Sequence, residues 1–69
     1  MKLSARNQLA AIVTGTTEGP ATTTVAVDVG GNRLVASITT EAVRELGIAE
    51  GAQVVVIIKA SDVMLAVAD

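Results

Sequence analysis

Hydrophobic and polar positions alternate along most of the chain with a period of two, and glycine, proline or short polar runs interrupt the alternation at intervals. Residues 9–17 and 21–29 are rich in β-branched side chains and flank Gly19-Pro20, which predicts a hairpin. In the second of these runs Val25, Val27 and Val29 fall on one face and Thr24, Ala26 and Asp28 on the other, as in a half-buried antiparallel strand. Gly30-Gly31-Asn32 supplies the positive backbone dihedrals of a tight turn, and residues 33–39 make a third strand.

The period then changes. Thr39-Thr40, followed by Glu41-Ala42-Val43-Arg44-Glu45-Leu46 and closed by Gly47, reads as a short helix with a hydroxyl N-cap, an acidic first turn and a glycine past its end. Val43 and Leu46 are three apart, so this turn or two of helix is expected to plug the end of a barrel with both. Ile48-Ala49-Glu50-Gly51 turns the chain into residues 52–60, Ser61-Asp62 breaks that strand, and residues 63–67 read as a fifth. The expected fold is therefore all-β, a five-stranded OB-like barrel with a short helix between strands 3 and 4, and a single domain over residues 1–69. A plain five-stranded meander is the simpler alternative.

The last two strands are apolar on both faces. Val54, Val56 and Ile58 oppose Val55 and Ile57, and Val63, Leu65 and Val67 oppose Met64, Ala66 and Ala68. An antiparallel sheet in a lone chain leaves one face to water, so the pattern predicts a neighbouring subunit over the outer face. Composition strengthens this. A 69-residue chain buries too little surface to be comfortable alone, and with no cysteine and no histidine it has neither disulfides nor a thiolate or imidazole metal site to compensate. Its 51% hydrophobic content is aliphatic throughout, without one aromatic ring. Self-association is the remaining remedy.

The same composition narrows the function. A formal net charge of −2 and the lack of stacking side chains disfavour a nucleic-acid partner. The polar start Ser4-Ala5-Arg6-Asn7 does not resemble a signal peptide, and the run Val54 to Ile58 is too short to span a bilayer, so no membrane partner and a cytoplasmic setting are expected. Catalysis lacks its usual groups, because histidine, thiol and phenol are absent and Asp28, Asp62, Glu41, Glu45 and Glu50 are not spaced for acid–base or metal work. The expectation is a binding protein, not an enzyme, with no bare metal cation and no cofactor. Gly30-Gly31 lies in a hairpin, not at a strand-to-helix junction, and so is turn chemistry, not a phosphate loop.

What remains is a set of donors. Ser4, Arg6 and Asn7 precede the first strand, Lys59 and Ser61 close the fourth, and Ser37, Ile38 and Thr39 lead into the helix. Hydroxyls, amides, cations and free backbone N–H groups, without a carboxylate among them, suit a compact dianion. Plainer roles stay open at each: Ser4 and Asn7 as tethers of the N-terminus, Arg6 and Lys59 as solvated charges, Thr39 as a helix cap.

Four stretches carry a resemblance: Ser4-Ala5-Arg6-Asn7-Gln8-Leu9, Val35-Ala36-Ser37-Ile38-Thr39 with the helix after it, the turn Glu50-Gly51, and Val56-Ile57-Ile58-Lys59-Ala60-Ser61-Asp62-Val63-Met64. Together they resemble the molbindins, small free-standing versions of the Mop or TOBE domain found in molybdate transport and regulation. The resemblance implies a homo-oligomer, a hexamer built as a trimer of dimers, that holds molybdate or tungstate between subunits and stores or buffers molybdenum. It also implies that Ser4, Arg6, Asn7, Ser37, Ile38, Thr39, Lys59 and Ser61 are oxyanion ligands, with Lys59 and Ser61 meeting the N-terminal motif of another subunit. A molybdenum-pterin or other ligand-binding or regulatory module is the alternative, and for a pterin or a nucleic acid the chain has no ring to stack.

Overall fold

The computed structural model describes residues 1–69. Strand β1 (Asn7–Glu18), β2 (Thr22–Val29) and β3 (Asn32–Thr39) form a meander, helix α1 (Thr40–Leu46) follows, and β4 (Gln53–Ile58) returns to pair with β1. All pairings are antiparallel and the order across the sheet is β3-β2-β1-β4. The strand boundaries follow the alternation in the sequence, and the turn between β2 and β3 has positive φ at both Gly30 and Gly31.

β1 is long enough to serve both neighbours. Its first half pairs with β4 and its second half with β2, and the register slips between Val13 and Gly15. The bulged Thr14 donates its hydroxyl to the Ala26 carbonyl at 3.2 Å. A bulge of this kind bends the strand and adds twist, which curls the sheet around Val13. The concave face gathers Ala11, Val13, Val25 and Val27 as a small buried cluster, with Leu34, Ile38, Val54 and Val56 packed at its margins.

α1 lies over one end of that face. Thr39 accepts the Ala42 N–H at 3.0 Å as N-cap, and at the other end the Gly47 and Ile48 N–H groups return to the Arg44 and Val43 carbonyls. The left-handed backbone at Gly47 is what allows this closing pair of bonds. Val43 packs on the core as the spacing predicts, but Leu46 is 72% exposed, and Ile48 beyond the cap takes the inward place. Leu46 is the last residue of the helix, and its side chain stays in solvent.

The five-stranded barrel is not what forms. The chain has a four-stranded sheet, and β3 and β4 at its edges do not pair, so the sheet stays open. A single 3-10 turn, Ala60–Asp62, follows β4, and residues 63–69 beyond it are exposed and form no strand. Met64 and Leu65 are each 93% exposed and Val67 is 91% exposed. The tail has the composition of a strand, but it hydrogen-bonds to neither open edge of its own sheet, and a strand has no stability without a neighbour to hydrogen-bond. An apolar opening of about 340 Å³ lies between the open edges, lined by Leu34, Val35, Ala36 and Ile38 of β3 and by residues 54–58 of β4. The convex face is also bare, with Ile12, Val35, Val55 and Ile57 between 41% and 52% exposed.

Candidate functional site

Antiparallel pairing puts the start of β1 beside the end of β4, so two of the three donor groups meet within one chain. Asn7 faces Ile58 in the ladder, and its side-chain amide donates to the Ile58 carbonyl at 3.0 Å. This bond fixes the strand end from which Lys59 leaves. Ala5 is buried and anchors the segment before β1. Around it the Arg6 guanidinium folds back, Nε donating to the Ser4 carbonyl at 3.1 Å and Nη2 to the Leu3 carbonyl at 3.2 Å. A guanidinium carries five N–H donors, so most of Arg6's capacity remains free. Lys59 and Ser61 bracket the start of the 3-10 turn, exposed, with no side-chain capping bond from Lys59.

This corner has two cations, Arg6 and Lys59, and one nearby carboxylate, Asp62, whose N–H closes the turn onto the Lys59 carbonyl. Its donors are hydroxyl, amide, guanidinium and ammonium groups, all at the surface or half-buried. An oxyanion held here by one chain would keep most of its hydration.

Ser37, Ile38 and Thr39 lie elsewhere. β3 runs parallel to β1 two strands away, so its last residues sit at the opposite edge and the opposite end of the sheet from Asn7 and Lys59. Ile38 is half-buried on the concave side, and Ser37 and Thr39 point to the convex side. Thr39 spends an acceptor lone pair on the helix cap and keeps its own proton to donate. The register adds two residues that the sequence alone does not single out. Thr22 stands opposite Thr39 and Thr24 opposite Ser37, so four hydroxyls share one patch of the convex face. Their only sequence signal is the run Thr22-Thr23-Thr24, which reads equally well as ordinary strand composition. The neighbouring hollow of about 480 Å³ on the helix side is lined by Glu41 and Glu45 beside Arg44, and those carboxylates oppose an anion there. Thr39 itself borders that hollow, so the anion-compatible part of the segment is the patch Thr39 shares with Ser37, Thr22 and Thr24.

No cluster of three or more His, Cys, Asp or Glu side chains suited to a metal ion occurs. No helix is long and apolar enough to cross a membrane.

The family model described as "TOBE domain" matches residues 3–65. A curated relative, molybdenum-pterin-binding protein 1 of Clostridium pasteurianum, is 42% identical over 66 residues, covering 94% of this chain and 97% of its own. Among solved structures, a molybdate binding protein from Sporomusa ovata superposes with a TM-score of 0.92 at 33% identity, over 96% of this chain and 98% of that one. MopII from Clostridium pasteurianum superposes with a TM-score of 0.88 at 39% identity, over 96% of this chain and 100% of that one.

Proposed function

The chain belongs to the TOBE-domain family, and from that premise we propose that it binds molybdate, and the closely similar tungstate, at sites assembled between copies of itself. It is a binding protein, and its role on this reading is to store or buffer the oxyanion in the cytoplasm. Both solved relatives and the curated one align over almost their whole length, so the reading draws on proteins of the same extent as this chain.

The observation that carries the reading is the mismatch between ligands and enclosure. Two groups of oxyanion donors stand at diagonal corners of the sheet, nearly all exposed, and one chain walls in neither of them. The same chain has an apolar opening between β3 and β4, exposed apolar side chains on its convex face and an exposed apolar tail. A tail that fills the opening of a second copy carries Lys59 and Ser61 at its root to the boundary between the two. Burying Leu65 and Val67 on the inward face of such a tail contributes roughly 3–6 kcal/mol of transfer free energy per tail, at about 1.5–3 kcal/mol for each side chain. The convex face is left for contacts between such pairs, which fits a hexamer built as a trimer of dimers. Ser4, Arg6, Asn7, Lys59 and Ser61 then form one class of site, and Ser37, Ile38 and Thr39, with the hydroxyls of Thr22 and Thr24 beside them, form another.

Calorimetric titration of the assembled protein with molybdate, tungstate, sulfate and phosphate tests the reading. Saturable binding of molybdate and tungstate with similar affinity, and weaker binding of the smaller sulfate, is the expected result. Absence of saturable molybdate binding, or sulfate binding as tight as molybdate, would overturn it. Titration with a molybdenum-free pterin in the same instrument should give no heat, since no aromatic side chain is present to stack it.

A further inference from the structure

Thr23 and Thr40 are the two buried polar residues of the chain, at 1% and 4% exposure, and their hydroxyls lie 2.9 Å apart. Thr40 Oγ1 also lies 2.7 Å from the Gly19 carbonyl, which can only accept. A hydroxyl has one proton, so Thr40 gives its proton to Gly19 and accepts that of Thr23. The bonds form a directed relay from Thr23 through Thr40 to the Gly19 carbonyl. The Thr40 backbone N–H donates in addition to the Ala21 carbonyl at 2.9 Å. One residue thereby holds two carbonyls of the turn between β1 and β2, a turn closed by the Gly19 N–H on Thr22 O and so tight that a Cβ on Gly19 would stand 2.7 Å from that oxygen.

We propose that this relay is a positioning device for the Ser37–Thr39 anion edge; the proposal rests on the anion reading of that edge. Thr23 is the ladder partner of Ile38, the middle residue of the edge, and Thr40 is the residue that follows it. Thr39 and Thr40 point their hydroxyls to opposite sides of the junction: Thr39 outward to the cap and the open patch, Thr40 inward to the relay. Shape alone does not select hydroxyls here, because two valines would fill nearly the same space, although they would leave the Gly19 carbonyl without the Thr40 proton. What the hydroxyls add is direction. They fix the torsion at which the chain leaves β3, and hence where the Thr39 hydroxyl and the Ser37 side chain point. The relay touches no ligand itself.

The test compares Thr40→Val, Thr40→Ser and wild type in molybdate affinity, assembly mass and melting temperature, with Val25→Ala as a core variant that destabilises without touching the junction. Thr40→Val should weaken molybdate binding roughly five- to tenfold, the scale of one lost hydrogen bond, at unchanged assembly mass. Thr40→Ser should restore it, and Val25→Ala should lower the melting temperature without that loss of affinity. Wild-type affinity in Thr40→Val, or an equal loss in Val25→Ala, overturns the proposal. Should Thr40→Val not fold, Thr23→Val leaves both bonds from Thr40 to the turn intact and is judged by the same criterion. Failure of the wild type itself to bind molybdate would instead sink the anion reading, and the relay with it.

Discussion

Leu65 offers the sharpest perturbation of the assembly. In one chain it is 93% exposed, so Leu65→Ala should change the stability of an isolated chain by no more than about 0.5 kcal/mol, as for other open surface positions. If the tail inserts between β3 and β4 of a second copy, Val63, Leu65 and Val67 form its inward face, and Leu65 becomes a core side chain. A buried Leu→Ala change costs about 2–5 kcal/mol, and reciprocal exchange counts it twice, for roughly 4–10 kcal/mol per dimer. At about 1.4 kcal/mol per tenfold, dimer dissociation should rise by three powers of ten or more. Sedimentation velocity across a concentration series reads this directly: the variant should dissociate at concentrations where the wild type keeps its mass. Leu65→Met, which conserves volume, should behave nearly as wild type. A Leu65→Ala protein whose mass follows concentration as the wild type's does would refute insertion of the tail.

Three further outcomes follow from the site. Lys59→Ala should weaken molybdate binding about ten- to a hundredfold, the range for loss of one hydrogen bond to a charged group, with the melting temperature of the anion-free protein unchanged; calorimetry and a thermal scan check both halves. Molybdate at about one hundred times its dissociation constant should stabilise the assembly by about 2.7 kcal/mol per occupied site, and an unchanged melting curve at that concentration would count against binding at an interface. Thr39→Ala removes the N-cap of α1 and should cost about 1 kcal/mol of stability, read by chemical denaturation, in addition to weakening the anion.

Much of the fold is legible in the sequence because its strands are half-buried and so alternate cleanly. Val25, Val27 and Val29 announce the inner face of β2, and Gly30-Gly31 announces the turn after it. The run from residue 63 to 67 shows the limit of that logic. Alternation and β-propensity report that a segment suits a sheet but say nothing of which chain provides the edge, and here its own chain does not. Leu46 fails for a smaller reason: helical spacing places it with Val43, but the helix stops at the cap and Ile48 takes the inward position. In the site, the closeness of Asn7 to Lys59 follows from antiparallel pairing of β1 with β4, which element order alone does not fix. Thr22 and Thr24 were beyond reach because their relevance depends on register with Thr39 and Ser37. Thr23 differs from its neighbours only by burial, which a run of three threonines cannot reveal.

The central claim is that the oxyanion site exists between copies and not within one. Native mass spectrometry during a molybdate titration tests it in a single measurement, since it resolves each oligomer and the number of anions on it. The account predicts molybdate on the assembled species and none on the monomer, with the assembled fraction growing as anion is added. Molybdate bound to the monomer as tightly as to the oligomer would contradict it.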